Sequence, residues 1–272
     1  MDEPMRQDLQ ELLLHEQPYG DPVLRKKIRA LRHERIDHTV VFIDTTTPSS
    51  IYPLNRIWEA LETWGRENDT EIGIVECGSL GFLSVEPVIG IQIPGRARLY
   101  YGPVEAADLP GMLDAIHKQV VPEENLIGQM AFSGQQSWEG IPEWSQHPFF
   151  INQTRHVMKL SGVIDPCSVA EYIAWGGYRS FAKSIRHYTD TELVRLIEQS
   201  GLRGRSGSGF SAALKWQRVI STTGDTRYVL CNADESDPGG YMHRILMESN
   251  PHLILEGIML ASYIIGASHA II

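Results

Sequence analysis

Apolar positions recur at helical spacing in the first 35 residues of the chain. One group precedes Pro18 and Pro22 and a second group follows them among lysines and arginines; the two comprise Leu9, Leu12, Leu13, Leu24, Ile28 and Leu31. Repeats of three and four residues are typical of an amphipathic helix. We therefore expect residues 4–35 to form a helical hairpin that docks through this apolar stripe.

From residue 38 the pattern changes to short β-branched runs. HTVVFID predicts a buried strand, and a turn cluster at 45–50 and a helix over 54–65 follow it. The runs EIGIVE, PVIGIQI and RARLYYG predict three further strands, and residues 107–118 predict a closing helix. The order strand, helix, strand, strand, helix predicts a small α/β domain within residues 1–120. A thioredoxin-like topology fits this order best, and other small α/β folds fit it almost as well.

Residues 121–160 show neither period. Prolines and glycines alternate there with four large aromatic residues, Trp138, Trp144, Phe149 and Phe150. Burial of such side chains makes large apolar contributions. We expect an extended connector pinned to a surface by these aromatics, with a plain linker as the alternative.

Regular patterns return over residues 161–272. Ser168 begins a predicted helix that stops at Gly176, and Thr189 or Thr191 caps the helix ELVRLIEQS, which ends at Gly201. A further helix follows residue 210, and RYVLCNADE predicts a strand with a turn at its carboxyl end. The last run, GIMLASYIIGASHAII, is helix-like and then strand-like. Because natural domains seldom end on their most apolar stretch, we expect the chain to stop inside an α/β domain.

Composition narrows the function classes. The 272 residues are 42% hydrophobic and 21% charged, as in an ordinary globular protein, and carry a formal charge of -10. Such acidity disfavours a nucleic-acid partner. Cys77, Cys167 and Cys231 are far apart and predict neither a disulfide framework nor a zinc site. Without a recognisable signal sequence or an apolar run near the ~20 residues of a membrane span, a cytoplasmic protein is expected.

The strongest local signal is the ten-residue segment GLRGRSGSGF at 201–210, between two predicted helices. Four glycines and two arginines let the backbone approach a ligand closely and add positive charge at the start of the next helix. This composition indicates an anion cradle, although it matches neither a Walker loop nor a Rossmann fingerprint. From the spacing alone, a flexible loop is an equal alternative.

Two further features bear on this loop. Lys215 follows within the next helix, where its ammonium group can reach back toward the same anion. The segment NADESDPGG at 232–240 directly follows the strand YVLC, and open α/β sheets bind ligands at the carboxyl ends of their strands. Taken singly, a solvated lysine and a decorated Pro-Gly turn are the plainer interpretations.

Together these segments resemble a known family. GLRGRSGSGFSAALKW, then YVLCNADESDPG, then LMESNPHLILEGIMLASYIIGA are similar to the NADH-binding flavoprotein subunit of respiratory complex I. The same module occurs in NAD-linked hydrogenases and in the diaphorase subunits of NAD-linked formate dehydrogenases. The resemblance is strong from about residue 150 to 272.

The resemblance implies that the glycine-rich loop holds FMN and that NADH stacks on the flavin. The positions that fall where the family contacts FMN are Gly204, Arg205, Gly207, Lys215, Asn232, Asp234, Glu235 and Ser236. Phe210 falls at the aromatic that stacks on the nicotinamide nucleotide, and Asp237 stands near the NADH where the family usually has Glu. The flavin does the redox chemistry, so no side chain is assigned as a catalytic acid or base.

Several positions depart from the family pattern. Ser206 and Ser208 replace the usual Gly and Ala, and Ser211, Ala212 and Ala213 replace Pro-Thr-Gly. Arg218 stands where many members carry a second aromatic residue, and GYMH at 240–243 replaces a more polar Thr-Phe-Lys-Asp. We expect these changes to weaken FMN or NADH binding or to alter cofactor preference.

The N-terminal part resembles, more faintly, the family's thioredoxin-like domain, which holds a [2Fe–2S] cluster with four cysteines. Thiolates hold such a cluster, and here Ser79 and Leu83 occupy the positions of the second cysteine pair. The stretch 42–47, where the first pair should lie, has no cysteine, and Cys77 is expected to be a small buried hydrophobe. We therefore predict a degenerate domain kept for docking, with no [2Fe–2S] cluster and no metal in this chain.

The resemblance implies an electron-input subunit that oxidises NADH through FMN and passes electrons to the iron–sulfur subunits of a hydrogenase, a formate dehydrogenase or a complex I-like assembly. In the family, a [4Fe–4S] cluster lies in a C-terminal helical domain beyond these residues. The alternative from another class is a non-catalytic docking or assembly subunit, or an inactive fragment. Altered loop residues and lost cysteines favour that alternative, whereas Lys215 and Asn232 to Glu235 speak against it.

Overall fold

The computed structural model describes residues 3–46, 54–205, 207–224, 226–237 and 239–272, without the side chains of the first two. Ser206 and most of the turn expected at 45–50 lie outside the described residues. The chain forms two compact units. We name residues 19–175 with 244–251 the sheet unit, and residues 1–18, 176–243 and 252–272 the loop unit.

The elements follow in chain order. The helices are α1 (Glu3–Leu14), α2 (Pro22–Leu31), α3 (Leu54–Glu67), α4 (Leu109–His117), α5 (Val169–Ala174), α6 (Arg179–His187), α7 (Asp190–Gln199), α8 (Ala212–Ser221), α9 (Met242–Ser249) and α10 (Pro251–Ile265). The strands are β1 (Thr39–Asp44), β2 (Ile72–Cys77), β3 (Ile89–Gln92), β4 (Arg98–Tyr101), β5 (Leu126–Met130), β6 (Tyr228–Leu230) and β7 (His269–Ile271). Short 3-10 turns occupy Leu83–Val85 and Trp144–Gln146.

A five-stranded sheet of order β2-β1-β3-β4-β5 organises the sheet unit. β1 runs parallel to β2, with Thr39 opposite Ile72, and antiparallel to β3, with Val41 opposite Ile91. β4 and β5 continue the sheet in antiparallel fashion. The predicted α/β class is confirmed, and the first four strands have the thioredoxin-like order.

Both faces of this sheet are covered. Alternate residues of β1 and β4, among them Val41 and Leu99, pack with α3 and α4 in the main core, which includes Leu61 and Leu113. The opposite face carries Val40, Phe42 and Cys77 in one cluster. A further cluster on that side comprises Leu80, Val88, Tyr100, Ile127 and Phe150. This two-sided burial explains why β1 reads as a continuous apolar run rather than an alternating one.

The connector contains a strand that the sequence pattern did not predict. β5 lies within the predicted connector and pairs with β4, which extends the expected four strands to five. Its Gly128 has φ +149°, and an added Cβ there would meet the backbone of Trp144 at 2.7 Å. Of the four predicted aromatic anchors, Trp138 and Phe150 are buried, whereas Phe149 is 41% exposed. The connector is thus part of the sheet unit's core.

The loop unit is built mainly from helices. α1 contacts α6, and α7 packs with α8 and α10 through a cluster that includes Leu193, Ala213 and Ile264. β6 and β7 form a parallel pair. A capping box begins α7, since Thr189 and Glu192 each bond the other's backbone amide, which settles the choice between Thr189 and Thr191.

The predicted hairpin of α1 and α2 is wrong. α1 packs against α6, whereas α2 packs against α5 in the sheet unit. Both helices have the expected apolar stripe, but a stripe specifies only that a face is buried and not which helix covers it. The bounds of the two compact units also differ from the expected segments, which ended at residues 120 and 160. Among the described residues, no helix has the length and apolarity needed to cross a bilayer.

Candidate functional site

The glycine-rich loop is closed at its base by backbone hydrogen bonds. Gly204 N donates to Phe210 O at 2.8 Å, and Ala212 N donates to Leu202 O at 3.0 Å. The Arg203 guanidinium donates to Gly209 O at 3.0 Å. One of the two loop arginines therefore stabilises the loop itself, while Arg205 remains exposed.

The interior of the loop is open. Gly207 has φ +95° and Gly209 has φ +59°, both in the left-handed region that favours glycine. A Cβ at either position would meet nothing within 4 Å. Within the described part of the chain, their amides donate no hydrogen bond. Two such amides in a turn of left-handed residues are suited to an anion.

The loop leads directly into α8. Ser211 caps this helix, accepting a hydrogen bond from Leu214 N at 3.4 Å, so the positive end of the helix dipole points back at the loop. Lys215 lies in the first turn and is exposed. Ala213, which replaces the family's glycine, is fully buried against α7 and α10. The departure at Ala213 therefore serves packing, and the groups predicted to bind an anion, Arg205 and Lys215, stay accessible.

Phe210 is paired with Arg218. The Arg218 guanidinium lies 5.0 Å from the centre of the Phe210 ring, which is a cation–π arrangement. Phe210 is 40% exposed. Phe210, the residue predicted to stack on the nicotinamide nucleotide, is thus accessible to a ligand. The cation that lies against its ring is Arg218, which stands where the resemblance implies a second aromatic residue.

The polar segment after β6 is partly engaged within the fold. Asn232 Oδ1 accepts a hydrogen bond from Asp234 N at 2.9 Å. Glu235 Oε2 accepts one from His243 N at 2.7 Å, and His243 Nδ1 lies 2.8 Å from Asp234 O. Ser236 and Asp237 are exposed. His243 is a residue that motif reasoning did not assign, because its contacts depend on the start of α9 and not on local spacing.

Arg227 shows how the loop and the polar segment are placed. Its guanidinium donates to Ile220 O at the end of α8 and to Ile265 O at the end of α10. Both helix ends therefore lie beside the start of β6. Val219 of α8 and Val229 of β6 pack against the same apolar cluster. The helix that follows the glycine-rich loop and the strand that precedes the polar segment therefore share one core in the loop unit.

The positions that the resemblance aligns with the second cysteine pair lie in the sheet unit and carry Ser79 and Leu83. Ser79 is buried, and its hydroxyl donates to Glu86 Oε1 and accepts from Gly81 N. Leu83 is 44% exposed. Cys77 is buried as expected, and burial raises the pKa of its thiol far above the usual range. Within the described residues, no group of three or more His, Cys, Asp or Glu side chains has an arrangement that could hold a metal ion.

A buried acid pair lies next to Ser79. Asp44, at the end of β1, is 3% exposed and accepts hydrogen bonds from the amide and hydroxyl of Thr46. Glu86 is 8% exposed. Burial, followed by the negative charge of Glu86, raises the pKa of Asp44 to about 7. Sequence reasoning did not find this pair, because its two members are separated by 41 residues and belong to no motif.

Residues 197–272 match the family described as Complex1_51K, the Nuo51 FMN-binding domain. Over 102 residues the chain is 44% identical to the F 2 subunit of NADH-quinone oxidoreductase from Rhizobium meliloti (strain 1021), covering 38% of this chain and 24% of that protein. It is 41% identical over 116 residues to the HndC subunit of NADP-reducing hydrogenase from Solidesulfovibrio fructosivorans, covering 43% and 23% respectively. The resemblance expected from the loop and strand motifs is confirmed over this segment.

The chain spans about a quarter of the length of the curated relatives it matches. Among solved structures, it is similar to a chain of NAD+-reducing [NiFe]-hydrogenase in the air-oxidized state, with a TM-score of 0.34 and 18% sequence identity. That similarity covers 98% of this chain and 44% of the hydrogenase chain.

Proposed function

We propose that this chain is part of an electron-input flavoprotein subunit that oxidises NADH through FMN. One observation carries the proposal: the glycine-rich loop leads into the capped helix α8 and, among the described residues, leaves the amides of Gly207 and Gly209 without a hydrogen-bond acceptor, within the residues that match an FMN-binding domain. The expected redox role is that of an oxidoreductase subunit. The names of the relatives, which are subunits of NADH-quinone oxidoreductase and of NADP-reducing hydrogenase, support it.

The loop fits the phosphate of FMN. There is open space around Gly207 and Gly209, where an added Cβ would meet nothing within 4 Å, and Arg205 and Lys215 add exposed positive charge near the start of α8. A phosphate placed there would also lie at the positive end of the helix dipole. Gly204 would keep the loop closed through its bond to Phe210, which leaves the cradle formed before the ligand enters.

The polar segment would hold the ring system. Asn232, Asp234 and Ser236 are exposed, and each can present a hydrogen-bonding group to a flavin edge. One carboxylate oxygen of Glu235 already accepts a hydrogen bond from the His243 amide. We therefore assign Glu235 two roles: it holds the segment in place, and it contacts FMN. Phe210 would stack on the nicotinamide nucleotide and Asp237 would lie near it. Bound FMN would supply the chemistry, accepting hydride from NADH and releasing electrons singly.

We assign the partners by chemical class. Electrons leaving the flavin need one-electron acceptors, for which the iron–sulfur protein subunits of a hydrogenase, a formate dehydrogenase or a complex I-like assembly are suited. A [4Fe–4S] cluster is expected only in the part of such a subunit beyond these residues. The sheet unit, with serine and leucine at the former cysteine positions, would dock without a [2Fe–2S] cluster of its own, and we place the assembly in the cytoplasm.

A second candidate is a docking subunit without flavin chemistry. It is favoured by one specific observation, the internal use of polar groups at the former cluster end of the sheet unit, where Ser79 bonds Glu86. If the loop unit has likewise lost its ligand, the whole chain would serve assembly alone.

An absorbance experiment separates these candidates. The purified chain is titrated with FMN and then with NADH under anaerobic conditions. We expect bound flavin bands that bleach with NADH. Arg205→Ala should reduce the bound flavin, and Lys118→Ala, an exposed cation of the sheet unit, serves as its control. Absence of flavin binding by the folded chain would contradict the flavoprotein proposal and favour the docking candidate. Binding without bleaching would contradict NADH oxidation by these residues.

A further inference from the structure

A groove of about 740 Å³ lies in the loop unit beside α6, remote in sequence from the glycine-rich loop. One wall consists of the end of α1 and the chain after it, and the other consists of α6. This volume is within the range of small-molecule sites in proteins, about 300–1,000 Å³. The Arg179 guanidinium connects the two walls, since it donates to His15 O at 2.9 Å and Glu16 O at 3.1 Å.

The α6 wall concentrates positive charge in an otherwise acidic chain. Lys183, Arg186 and His187 line the groove at spacings that place them on one helix face, roughly 5–6 Å apart at Cβ. All three are exposed, and none forms a hydrogen bond or an ion pair with another described residue. Of the described residues that line the groove, one, Glu16, is acidic. The side chains therefore leave a local excess of positive charge.

Interaction with the helix dipole explains only some of the basic residues on α6. Arg186 and His187 in the last turn favour the negative end of the α6 dipole. Lys183 lies a turn earlier, where the charge of its side chain interacts only weakly with the helix dipole. At the other end, Glu256 accepts hydrogen bonds from Tyr178 N, just before α6, and from Phe181 N in its first turn, so the carboxylate of Glu256 already occupies this helix N-terminus. An anion in this groove would thus be held by side chains and not by the helix N-terminus.

The other groove residues are apolar. Leu13, Leu14 and Tyr188 line it, and Leu14 is 51% exposed. A site with a cationic face and an apolar face suits a ligand that has both characters. Three hydrogen-bond donors on one wall of the groove match a phosphate group, which carries more charge and more acceptor oxygens than a single carboxylate.

We propose that this groove binds a phosphate-bearing small molecule of nucleotide size, with its phosphates beside Lys183, Arg186 and His187 and its apolar part against Leu13, Leu14 and Tyr188. This site is separate from the flavin site of the proposed function and does not depend on it. It would add a ligand beyond FMN and NADH, with a phosphate ester as the recognised class.

The test is isothermal titration calorimetry of the full chain with two probes, ADP and inorganic pyrophosphate. We expect both to bind, ADP more tightly because of the apolar wall, and both to weaken as salt is raised. Lys183→Ala combined with Arg186→Ala should weaken ADP binding at least about tenfold, since two charge-assisted contacts to the phosphates are lost. Arg195→Ala, an exposed cation on α7 outside the groove, is the matched control.

Three outcomes would overturn the proposal. The first is that neither probe binds, even if an acidic peptide does. The second is that the double substitution leaves ADP affinity unchanged. The third is that Arg205→Ala in the glycine-rich loop, and not the groove variant, abolishes binding. If the double variant does not fold, Lys183→Gln and Arg186→Gln, which keep most of each side chain, should each weaken binding. FMN affinity should be the same in all groove variants, which separates this result from the flavoprotein proposal.

Discussion

The end of β1 and β2 in the sheet unit and the end of β6 in the loop unit both carry polar residues after parallel strands, but they use them differently. At the first, Asp44, Ser79 and Glu86 are buried and bonded to protein groups. At the second, Ser236 and Asp237 are exposed, and in the glycine-rich loop the amides of Gly207 and Gly209 bond to no other residue that the structure describes. Buried polar groups that are hydrogen-bonded to the protein contribute to stability, whereas exposed polar groups without such bonds are available to bind a ligand. The same strand-end chemistry thus has a structural use in one unit and a proposed binding use in the other.

The largest expected effect tests whether the sheet unit is stabilised by its own core. Trp138 is 3% exposed, packs in the main core and donates its indole N–H to Ala97 O. Trp138→Ala should lower the free energy of unfolding by about 3–5 kcal/mol. Phe149→Ala, at an exposed aromatic of the same connector, should cost clearly less. Urea denaturation measures both, and equal losses would contradict the assigned packing of the connector.

The next effect concerns the buried acid pair. The pKa of Asp44 is raised to about 7 in the folded chain from 3.8, so its contribution to stability is complete below pH 3.8 and is lost as pH rises through 7. Between pH 5 and pH 8 the free energy of unfolding should fall by at most about 2–3 kcal/mol. Asp44→Asn should flatten this dependence, and Glu62→Gln on the surface of α3 should not. Stability that rises over this range in the unchanged chain would be incompatible with a raised pKa of Asp44.

A smaller effect addresses the open site. Lys215→Ala should weaken FMN binding about tenfold, because a charge-assisted contact to the phosphate is lost. Lys118→Ala in the sheet unit is the matched control and should leave the affinity within about twofold. Flavin fluorescence quenching gives both dissociation constants. Equal affinities for the Lys215 variant and the unchanged chain would remove Lys215 from the proposed site.

The smallest expected effect tests whether Arg218 influences NADH binding or FMN binding. Arg218 covers one face of Phe210, and an exposed cation–π contact is worth about 0.5–1 kcal/mol. Arg218→Ala should free that face and tighten NADH binding about twofold to fivefold, with FMN affinity unchanged. Gln217→Ala is the control, and NADH titration of the flavin-loaded chain is the measurement. A change in FMN affinity instead would place Arg218 at the flavin.

Local patterns predicted local structure well. The six-residue run at β1, the cap at Ser168 and the start of α8 after the glycine-rich loop all follow from periodicity and capping chemistry. The motif segments also indicated the family resemblance over residues 197–272. The roles of the individual site residues stay predictions, since they depend on a ligand.

The remaining features depend on contacts between distant residues. β5 was missed because Gly128 interrupts its strand pattern, and that glycine is required by the close approach of the Trp144 backbone. The partner of α1 is α6, more than 160 residues away, and no periodicity specifies it. Asp44 and Glu86 meet for the same reason, through the pairing of β1 with β3.

Hydrogen exchange of the full chain with and without FMN tests the comparison between the two strand ends most directly. We expect FMN to slow exchange in residues 203–215 and 231–237 and to leave exchange in residues 39–46 and 77–88 unchanged. The second pair of segments is already protected by the fold and so serves as the internal control. Protection confined to the β1 and β2 end, or no protection of the glycine-rich loop at saturating FMN, would contradict the assignment of the open site to the loop unit.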